Sequence, residues 1–271
     1  MTMIVNAIFN RFVKYLQNKY QMLKESGIDG IYVIHAKTGY ELHENRIKAL
    51  FKENNLDFEF VTDGDPSLFT KELLTKYFTD EMLARWSDGI ISCTLNHIKA
   101  YERIVKNNNR YAIIFENDPF FLGNFSENIK TIANEIKDLE KGFIISLENT
   151  TLRFPSFWAI KKGKHLYRAK TGRCAGAYII DLEGAKRILN DVQTNKCLTV
   201  IDWWQNILIT NSVFKMYWAH PCLVEQGSHN GQLNSTISTK PNSMGRRFKW
   251  LAQKAYKSSF KRLFNDKCIY S

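Results

Sequence analysis

The chain has little of what marks unusual protein classes. Only 14 of its 271 residues are glycine and 5 are proline, while 44% are hydrophobic and 24% are charged. This composition excludes collagen-like and disordered chains and is typical of a globular protein with a sizeable core. Its uncharged apolar runs, such as 111–115 and 143–147, are far shorter than the ~20 residues that a membrane-spanning helix needs. We therefore predict that no segment crosses a bilayer.

Cysteine is also scarce, and its spacing shows no pattern. The 5 cysteines are scattered along the chain, and no two have the short spacing of a zinc ribbon or a redox motif. The first residues carry neither the basic stretch nor the small-residue cleavage site of a secretory signal. We expect free thiols and a cytoplasmic protein.

Several well-known catalytic motifs are missing too. The chain contains no G-x-x-x-x-G-K-[ST] loop, no G-x-G-x-x-G, no G-x-S-x-G and no H-E-x-x-H. Their absence argues against P-loop nucleotide hydrolysis, dinucleotide redox chemistry, lipase-type acyl transfer and zincin proteolysis.

The positive charge is concentrated at the carboxyl end. The formal net charge is +11, and residues 240–271 supply +8 of it, from nine basic residues and one acid. Basic and apolar side chains follow helical spacing there, at Trp250, Leu251, Lys254, Lys257, Phe260, Lys261 and Phe264. A basic amphipathic helix is typical of a segment that lies on an anionic membrane surface. The alternatives are a solvated charged helix and a nucleic-acid-binding segment, and we favour the membrane surface.

Short apolar strands alternate with helices in the first half of the chain. The pattern predicts a leading amphipathic helix over 4–25 and strands at 30–34, 58–61, 111–115 and 143–147. Strands separated by helices pair in parallel and are covered by helices on both faces. After residue 150 we expect a hairpin (152–160 and 165–169), a strand at 175–180 and a helix over 182–190 capped by Asp181. The fold class predicted is α/β, with a mostly parallel sheet and a mixed C-terminal portion.

Acidic residues follow several of the predicted strands. Ligands of open α/β sheets bind beyond the carboxyl ends of the strands, and this rule nominates His35, 63–65, 116–118 and Glu148. Carboxylates in that place suit a hard divalent cation that holds a phosphate. Glu116 and Asp118 form the best acid pair, with Asn117 as a further oxygen donor, unless they are simply an acidic turn.

Other candidate residues each have two interpretations. Asp63 and Asp65 either form a turn or contact a nucleotide or its ribose. His97, His220 and His229 are each either a packing residue or a member of a site. In the second case, His220 or His229 is a further metal ligand or a diphosphate contact. Asp202 is either a helix N-cap or a general base beside the sugar-stacking rings of Trp203 and Trp204.

The order of these segments resembles glycosyltransferase family 25, the lipopolysaccharide-biosynthesis glycosyltransferases. The blocks that carry the resemblance are DGIISCTLNH at 88–97, IIFEND at 113–118, CAGAYIIDLEGA at 174–185, TVID at 199–202, PCLVEQ at 221–226 and STI at 235–237. The chain departs from the family where Asn117 replaces an acid and Asn96 a serine, and Arg46 is the nearest candidate for the family's arginine pair.

The resemblance implies a GT-A-like, Rossmann-type fold and an inverting transfer from a nucleotide sugar, commonly UDP-galactose. It implies that a divalent cation, Mn²⁺ or Mg²⁺, bridges the donor diphosphate and Asp118, with Glu116 nearby, and that one carboxylate, which we assign to Asp202, is the general base. From the residues themselves we assign His220 as a further metal ligand and Trp203 and Trp204 as the acceptor platform. The donor contacts that we assign are His35, Asp63, Asp65, His97 and Asn117.

The acceptor that the resemblance implies is a lipid-linked oligosaccharide. We accordingly divide the chain into a leading helix (1–27), a catalytic domain (28–239) and a membrane-associating tail (240–271). We expect a protein peripheral on the inner face of the cytoplasmic membrane, with no nucleic-acid partner. The alternative is a non-catalytic relative that binds a sugar nucleotide or a glycan, which the replacement at Asn117 makes plausible.

Overall fold

The structure, a computed structural model, describes residues 27–37, 39–233 and 244–264. Its strands are β1 (Gly30–Ile34), β2 (Glu59–Val61), β3 (Tyr111–Phe115), β4 (Pro119–Phe121), β5 (Phe143–Ser146), β6 (Leu166–Ala169), β7 (Ala177–Asp181), β8 (Lys215–Ala219) and β9 (Val224–Gln226). The leading helix predicted within 1–27 lies outside the described residues, apart from residue 27.

Helices precede and follow most of these strands. They are α1 (Glu41–Glu53), α2 (Lys71–Tyr77), α3 (Asp80–Arg85), α4 (Asp88–Lys106), α5 (Phe125–Ile136), α6 (Leu182–Asn195), α7 (Ile201–Thr210), α8 (Gly227–Asn230) and α9 (Met244–Ser258). Short 3₁₀ turns lie at Pro66–Leu68, Phe157–Ala159 and Lys261–Phe264. Within the described part of the chain, no helix has both the length and the apolarity needed to cross a bilayer.

Seven strands form one sheet in the order β2-β1-β3-β7-β5-β8-β6. β1 pairs in parallel with β2 and β3, and β5 pairs in parallel with β8. β7 runs antiparallel between β3 and β5, and β6 runs antiparallel at the edge beside β8. Five of the seven strands therefore point the same way, and the predicted α/β fold with a mostly parallel, GT-A-like sheet is confirmed.

The sheet is buried on both faces, which is why its strands read as unbroken apolar runs. Successive residues of β3 point to opposite sides: Ile113 packs in the layer beneath α1 and α5, and Ile114 in the layer beneath α4 and α6. The helices supply complementary apolar stripes, such as Phe51 from α1 and Leu95 from α4, both fully buried. Two apolar layers therefore hold the sheet rigid behind its carboxyl edge.

The predicted hairpin over 152–169 is wrong in its first half. Residues 157–159 form a 3₁₀ turn, and β6 pairs with β8, which comes much later in the chain. Local alternation of apolar residues cannot reveal such a partner, because the pairing is set by tertiary contacts. The small sheet of β4 and β9 was also not predicted, and it joins residue 119 to residue 226.

Candidate active site

Two acidic residues, Glu116 and Asp118, come directly after β3. The backbone N–H of Glu116 donates to the carbonyl of Gly176 at 2.9 Å, which ties the end of β3 to the chain entering β7. The carbonyl of Asp118 accepts from the N–H of Gly227 at 2.8 Å, and its Oδ2 accepts from the N–H of Ser228 at 2.9 Å. Distant parts of the chain therefore fix both residues at one edge of the sheet.

The carboxyl group of Glu116 lies among groups that oppose its ionisation. Its Oε2 accepts from Nε2 of Gln226 at 2.9 Å, a bond that favours the charged form. Desolvation, followed by the negative charges of Asp202 and Asp118, outweighs this bond and raises the pKa of Glu116 well above its usual value. A cation beside this group would reverse that balance.

Cys93 and His97, one helical turn apart on α4, approach Glu116 from the other side. Oε1 of Glu116 lies 3.6 Å from Nε2 of His97 and 4.0 Å from Sγ of Cys93. Burial lowers the pKa of His97 to about 3, so the ring is neutral, and its Nδ1 is hydrogen-bonded to the hydroxyl of Tyr178 at 2.7 Å. These three side chains place sulfur, nitrogen and oxygen atoms within 4.8 Å of one another, a set that could hold a metal ion.

Asp202 is the second residue of α7, and it does not cap that helix. The N-cap position is Val200, which makes no side-chain cap. Oδ1 of Asp202 instead accepts from the backbone N–H of Ala175 at 2.7 Å, next to the residue that holds Glu116. The Asp202 charge also helps to raise the pKa of Glu116 and of Glu148. The interpretation of Asp202 as a plain N-cap is therefore wrong, and the residue lies beside the other acids.

Glu148 is a fourth carboxyl group in this region, and it is completely buried. Its Oε2 accepts from the backbone N–H of Thr150, and burial is the main cause that raises its pKa to about 7. The hydroxyl of Thr150 donates to Oε1 of Gln226 at 2.7 Å, and the same amide donates to Glu116. Gln226 thus links Glu148 and Glu116 through a short chain of hydrogen bonds.

We call Glu116, Asp118, Glu148 and Asp202 the acidic cluster. Oδ1 of Asp118 and Oε1 of Glu148 are buried, and neither has a hydrogen-bond partner among the residues that the structure describes. Buried carboxylate oxygens without donors are costly unless a cation or a proton satisfies them. Hard oxygen donors of this kind fit Mg²⁺ or Mn²⁺, so the residues present suit the cation that the family resemblance implies.

A cavity of about 300 Å³ opens beside the acidic cluster. It lies between the carboxyl end of β1 and the first turns of α4. The residues that line it include His35, Tyr40, Asp65, Cys93, Glu116 and Asn117. Four of the predicted site residues thus share one cavity wall, at the edge of the sheet where ligands of open α/β sheets bind.

The cavity wall is held in shape by Asn96, the residue that replaces the family's serine. Its amide donates to the carbonyl of His35 at 3.3 Å, and its Oδ1 accepts from the N–H of Gly64 at 2.7 Å. A Cβ on Gly64 would lie 3.0 Å from Asn96 and Leu95, so glycine is needed for this close approach. Asn96 therefore joins the end of β1 to the turn that carries Asp65.

His35 and Asp65 differ in how they face the cavity. His35 is buried against the ring of Phe60, at 4.7 Å between centroids, and burial lowers its pKa. Asp65 accepts from the N–H of Lys37 at 2.9 Å and from the N–H and hydroxyl of Ser67. These bonds outweigh the burial of Asp65 and lower its pKa, the hydroxyl of Ser67 having the largest effect. Asp65 is therefore a fixed negative charge at the cavity wall.

Asn117 and its neighbours are clamped by Arg46. The guanidinium donates to the carbonyls of Pro119 at 2.9 Å and of Asn117 at 3.3 Å, and it lies over the ring of Phe120. Burial lowers the pKa of Arg46, against the opposing effect of Asp118. Arg46 thus sets the path of the chain between the two acids.

Two predicted site residues lie away from the acidic cluster. Asp63 is an exposed residue that forms an ion pair with Arg103. His220 faces the carboxyl-terminal segment, where its Nε2 lies 2.8 Å from Nη2 of Arg262. Burial and the charge of Arg262 lower the pKa of His220 to about 4. A ring nitrogen that faces a guanidinium is poorly placed to bind a metal ion, and the geometry does not support His220 as a ligand. Burial lowers the pKa of His229, against the opposing effect of the charges of Asp118 and Asp202.

The tryptophan pair is divided between surface and core. The ring of Trp203 is 53% exposed and meets Trp86 edge-on at 5.6 Å, whereas Trp204 is only 1% exposed and packs in the core. Trp204 cannot offer its face to a sugar, so the expectation of a two-ring platform is wrong for that residue. Trp86, which sequence reasoning missed, is the second ring on this surface.

Sequence reasoning also undervalued Glu148, Gln226 and Cys93. Glu148 follows β5 and was nominated by the strand-end rule, but nothing in its local sequence indicates a fully buried carboxyl group. Gln226 and Cys93 lie in the segments 221–226 and 88–97, two of the blocks that carry the family resemblance. Their position in these blocks was the only indication in the sequence that they belong to the site.

The chain is similar to a known protein family. The family model described as glycosyltransferase family 25 (LPS biosynthesis protein) matches residues 29–203, a segment that contains the whole acidic cluster. The match ends one residue after Asp202 and omits α9.

Three curated relatives match parts of the chain. A lipooligosaccharide biosynthesis protein, lic2B, of Haemophilus influenzae is 26% identical over 58% of this chain and 61% of its own length. A putative glycosyltransferase of the same species is 31% identical over 62% of this chain and 59% of its own length. A glycosyltransferase 25 family member of Drosophila melanogaster is 25% identical over 70% of this chain and 32% of its own length. The chain thus spans about three fifths of each Haemophilus protein and about a third of the Drosophila protein.

Proposed function

The chain belongs to glycosyltransferase family 25, and on that premise we propose that it is an inverting, metal-dependent hexosyltransferase. The observation that carries the proposal is the acidic cluster, which lies beside a cavity at the carboxyl edge of the sheet. The proposed donor is UDP-galactose, and the proposed acceptor is a lipopolysaccharide or lipooligosaccharide chain. The description of the family as LPS biosynthesis proteins, and of the Haemophilus relative lic2B as a lipooligosaccharide biosynthesis protein, supports this class of acceptor.

Asp118 and Glu116 are the proposed ligands of Mn²⁺ or Mg²⁺. Oδ1 of Asp118 is buried and has no hydrogen-bond partner among the described residues, and Glu116 reaches the same region from two residues earlier. Such a cation, when bound, neutralises negative charge on a departing nucleoside diphosphate. The protein's part is to hold the two carboxyl groups in place, through Gln226 and the start of α8.

Asp202 is the proposed general base. The N–H of Ala175 donates to Oδ1, so the backbone orients the carboxylate that accepts the proton. The acceptor hydroxyl loses its proton to Asp202 as its oxygen bonds to the anomeric carbon from the face opposite the leaving diphosphate, which inverts the configuration. General-base assistance of this kind typically contributes ~10²–10⁴-fold to the rate.

The cavity is the proposed site of the donor. Asp65, a fixed carboxylate, can accept hydrogen bonds from ribose hydroxyls, and the rings of Tyr40 and His35 offer apolar surface to a base. The exposed ring of Trp203, with Trp86 beside it, is the proposed stacking surface for an acceptor sugar.

Calorimetric titration of UDP, with and without Mn²⁺, tests the proposal directly. We expect Asp118→Asn to weaken Mn²⁺-dependent UDP binding by at least about tenfold, as the loss of a metal-site group does. The matched control is Asp63→Asn, which removes an acid near the cavity that is paired with Arg103 instead, and it should leave the affinity unchanged. Equal effects of the two substitutions would contradict the assignment of Asp118.

A donor screen then separates an enzyme from a binding protein. Transfer and hydrolysis are measured with UDP-Gal, UDP-Glc, UDP-GlcNAc and UDP-GalNAc. We expect turnover with one donor, most simply UDP-galactose. UDP binding without turnover of any donor would favour the non-catalytic relative, for which the replacement of an acid by Asn117 is the supporting observation.

A further inference from the structure

Two long segments of the chain contain no acidic residue. Residues 149–180 include seven Lys and Arg, and residues 226–265 include eight, without a single Asp or Glu in either segment. A one-signed surface attracts partners of the opposite charge. The two segments together can therefore create a strongly positive region, provided that the fold brings them to one side of the molecule.

The structure does bring the two segments together. Nε of Arg262 donates to the carbonyl of Pro155 at 2.6 Å, and the guanidinium lies 4.4 Å from the centre of the Phe157 ring. One turn of helix earlier, Nζ of Lys257 lies 3.5 Å from the carbonyl of Thr151. The end of α9 and the turn after it are thus packed beside the loop that follows β5.

The cations of α9 mostly face the body of the protein rather than solvent. Arg246 donates to the carbonyl of Ser228 at 2.7 Å, and Lys254 pairs with Glu225 at 2.5 Å. Together with Lys257 and Arg262, these residues bind α9 to the domain. Tertiary contacts therefore use several of the cations of the predicted basic amphipathic helix, Lys254 and Lys257 among them.

The outward side of this region is apolar instead. The exposed residues are Phe157, Trp158, Ile160, Phe248, Leu251, Tyr256, Phe260 and Leu263, which we call the apolar face. Twelve large hydrophobic side chains are exposed in the described residues, and eight of them belong to this face. Trp158 is 83% exposed, and Phe248 and Phe260 are each 69% exposed. Such a concentration marks an interaction surface, because single exposed apolar residues would otherwise be scattered.

Exposed lysines flank residues of the apolar face in the sequence. Lys161 and Lys162 follow Ile160 directly, and Lys249 and Lys261 lie next to Phe248 and Phe260 in sequence; all four are exposed. Aromatic rings with lysines around them are the composition of surfaces that sit at the boundary between lipid headgroups and acyl chains. A nucleic acid would also draw on the other cations of α9, but Arg246, Lys254 and Lys257 are bound to the domain.

We propose that the apolar face docks on an anionic phospholipid bilayer, with the flanking lysines binding the headgroups. The face is also connected to the acidic cluster through β9, where Glu225 pairs with Lys254 and the next residue, Gln226, donates to Glu116. Docking would therefore place the catalytic edge near the membrane surface. The inference rests on the charge and exposure of this face and stands without the transfer activity.

Flotation of the full chain with vesicles tests this inference. The vesicles are phosphatidylcholine alone and an equimolar mixture with phosphatidylglycerol, and we expect binding to the mixture. Replacing three apolar anchors, by Trp158→Ser, Phe248→Ser and Phe260→Ser together, should lower the partition coefficient at least about tenfold. The control replaces three exposed leucines elsewhere by serine, at Leu42, Leu68 and Leu198. All these side chains are exposed, so folding should be unaffected, as thermal unfolding can verify.

A second pair of variants tests the charge contribution. Changing Lys161, Lys162 and Lys249 to glutamine should lower binding to the anionic vesicles by about tenfold or more and leave weak binding to neutral vesicles unchanged. The control makes the same change at Lys71, Lys76 and Lys186, which are exposed on other helices. Equal binding by the test and control variants in either pair would overturn the proposal.

Two other occupants of the face give different results. If the apolar face is an interface between two copies, light scattering would show a dimer that the triple serine variant dissociates, with no vesicle binding. If it binds nucleic acid, the chain would bind a DNA duplex with a steep salt dependence and prefer it to the anionic vesicles. Either result would overturn a membrane-docking role.

Discussion

The acidic cluster and the region of the apolar face differ in how their charged groups find partners. Four carboxyl groups meet at one edge of the sheet, and two of their oxygens lack partners among the described residues. Beside the apolar face, Arg262 donates to a carbonyl and Lys254 pairs with a carboxylate, and the exposed groups are rings and lysine tips. The first region therefore suits a cation, whereas the second uses several of its own cations to attach α9 and offers an apolar surface to a partner.

The comparison teaches that net charge alone says little about where a partner binds. The chain carries +11 overall, yet its candidate catalytic edge is acidic and its most basic segment is attached through its own cations. Substitutions in the two regions should consequently have different kinds of effect, on turnover in one and on docking in the other.

The largest effect should come from Asp202→Asn. We expect turnover to fall by about 10²–10⁴-fold, because an amide cannot accept the proton, while UDP affinity stays unchanged. Asparagine keeps the bond from Ala175, so the fold should be preserved. The control is Glu225→Gln. Glu225 precedes Gln226 in the chain, but it forms an ion pair with Lys254 and is not part of the acidic cluster. Donor-transfer assays on both variants measure this difference. Similar rates for the two variants would contradict the assignment of Asp202 as the general base.

The tryptophan pair gives the next largest effect. Trp204→Ala should lower the free energy of unfolding by about 3–5 kcal/mol, because it empties a core site. Trp203→Ala removes a half-exposed ring, and it should change stability by less than about 1 kcal/mol while raising the KM for the acceptor. Urea unfolding and acceptor titrations measure these two quantities. A large loss of stability from Trp203→Ala would show that this ring is structural as well.

The buried carboxyl group of Glu148 and the half-buried ring of His220 should make the stability of the protein depend on pH in opposite directions. The pKa of Glu148 is raised to about 7, so between its unfolded value and pH 7 the folded state binds more protons, and stability falls as pH rises, by up to about 3 kcal/mol. The pKa of His220 is lowered to about 4, so the unfolded state binds more protons between pH 4 and 6.5. Its contribution to stability is therefore present above pH 6.5 and lost as pH falls.

Urea unfolding across pH 4.5–7 measures both slopes. Glu148→Gln should make the stability less dependent on pH near neutrality, and His220→Gln should reduce the loss of stability towards acid. These substitutions act in opposite directions because one group is a buried acid and the other a buried base. If the free energy of unfolding changed with pH in the same way in both variants and in the parent chain, neither group would titrate as proposed.

The smallest effects should come from the contacts that attach α9. Arg262→Gln removes a buried charged donor and should lower the local stability of α9 by about 1–3 kcal/mol. Lys254→Gln breaks a partly exposed ion pair and should lower it by less than about 1 kcal/mol. Hydrogen exchange of the α9 amides reports this local opening. Equal protection in the two variants would mean that burial does not decide which cation holds the helix.

Much of the fold was predictable because it depends on local patterns. The apolar run of β3 formed the predicted strand, and Glu116, which the strand-end rule nominated, lines the cavity. The helix α6 and its Asp181 cap were equally predictable, since the side chain accepts from the N–H of Gly184 as the pattern requires.

The errors share one cause, which is that the deciding partner lies far away in sequence. Asp202 bonds to Ala175 rather than to its own helix, His220 meets Arg262 rather than a carboxylate, and Trp204 turns to the core while Trp203 does not. No local periodicity encodes these choices, because each depends on which surface packs against the helix or loop in question.

The amino-acid sequence by itself determined the alternation of strands and helices, the position of the acids after the strands and the segregation of basic residues toward one end. These follow from side-chain period and backbone propensity, which act over a few residues. Only the tertiary structure decided that Gln226 would join Glu116 to Glu148, and that Arg246, Lys254 and Lys257 of α9 would contact the domain while Phe248 and Tyr256 stay exposed. Those outcomes depend on burial and on charge partners distant in the chain, and they exist only once the sheet has formed.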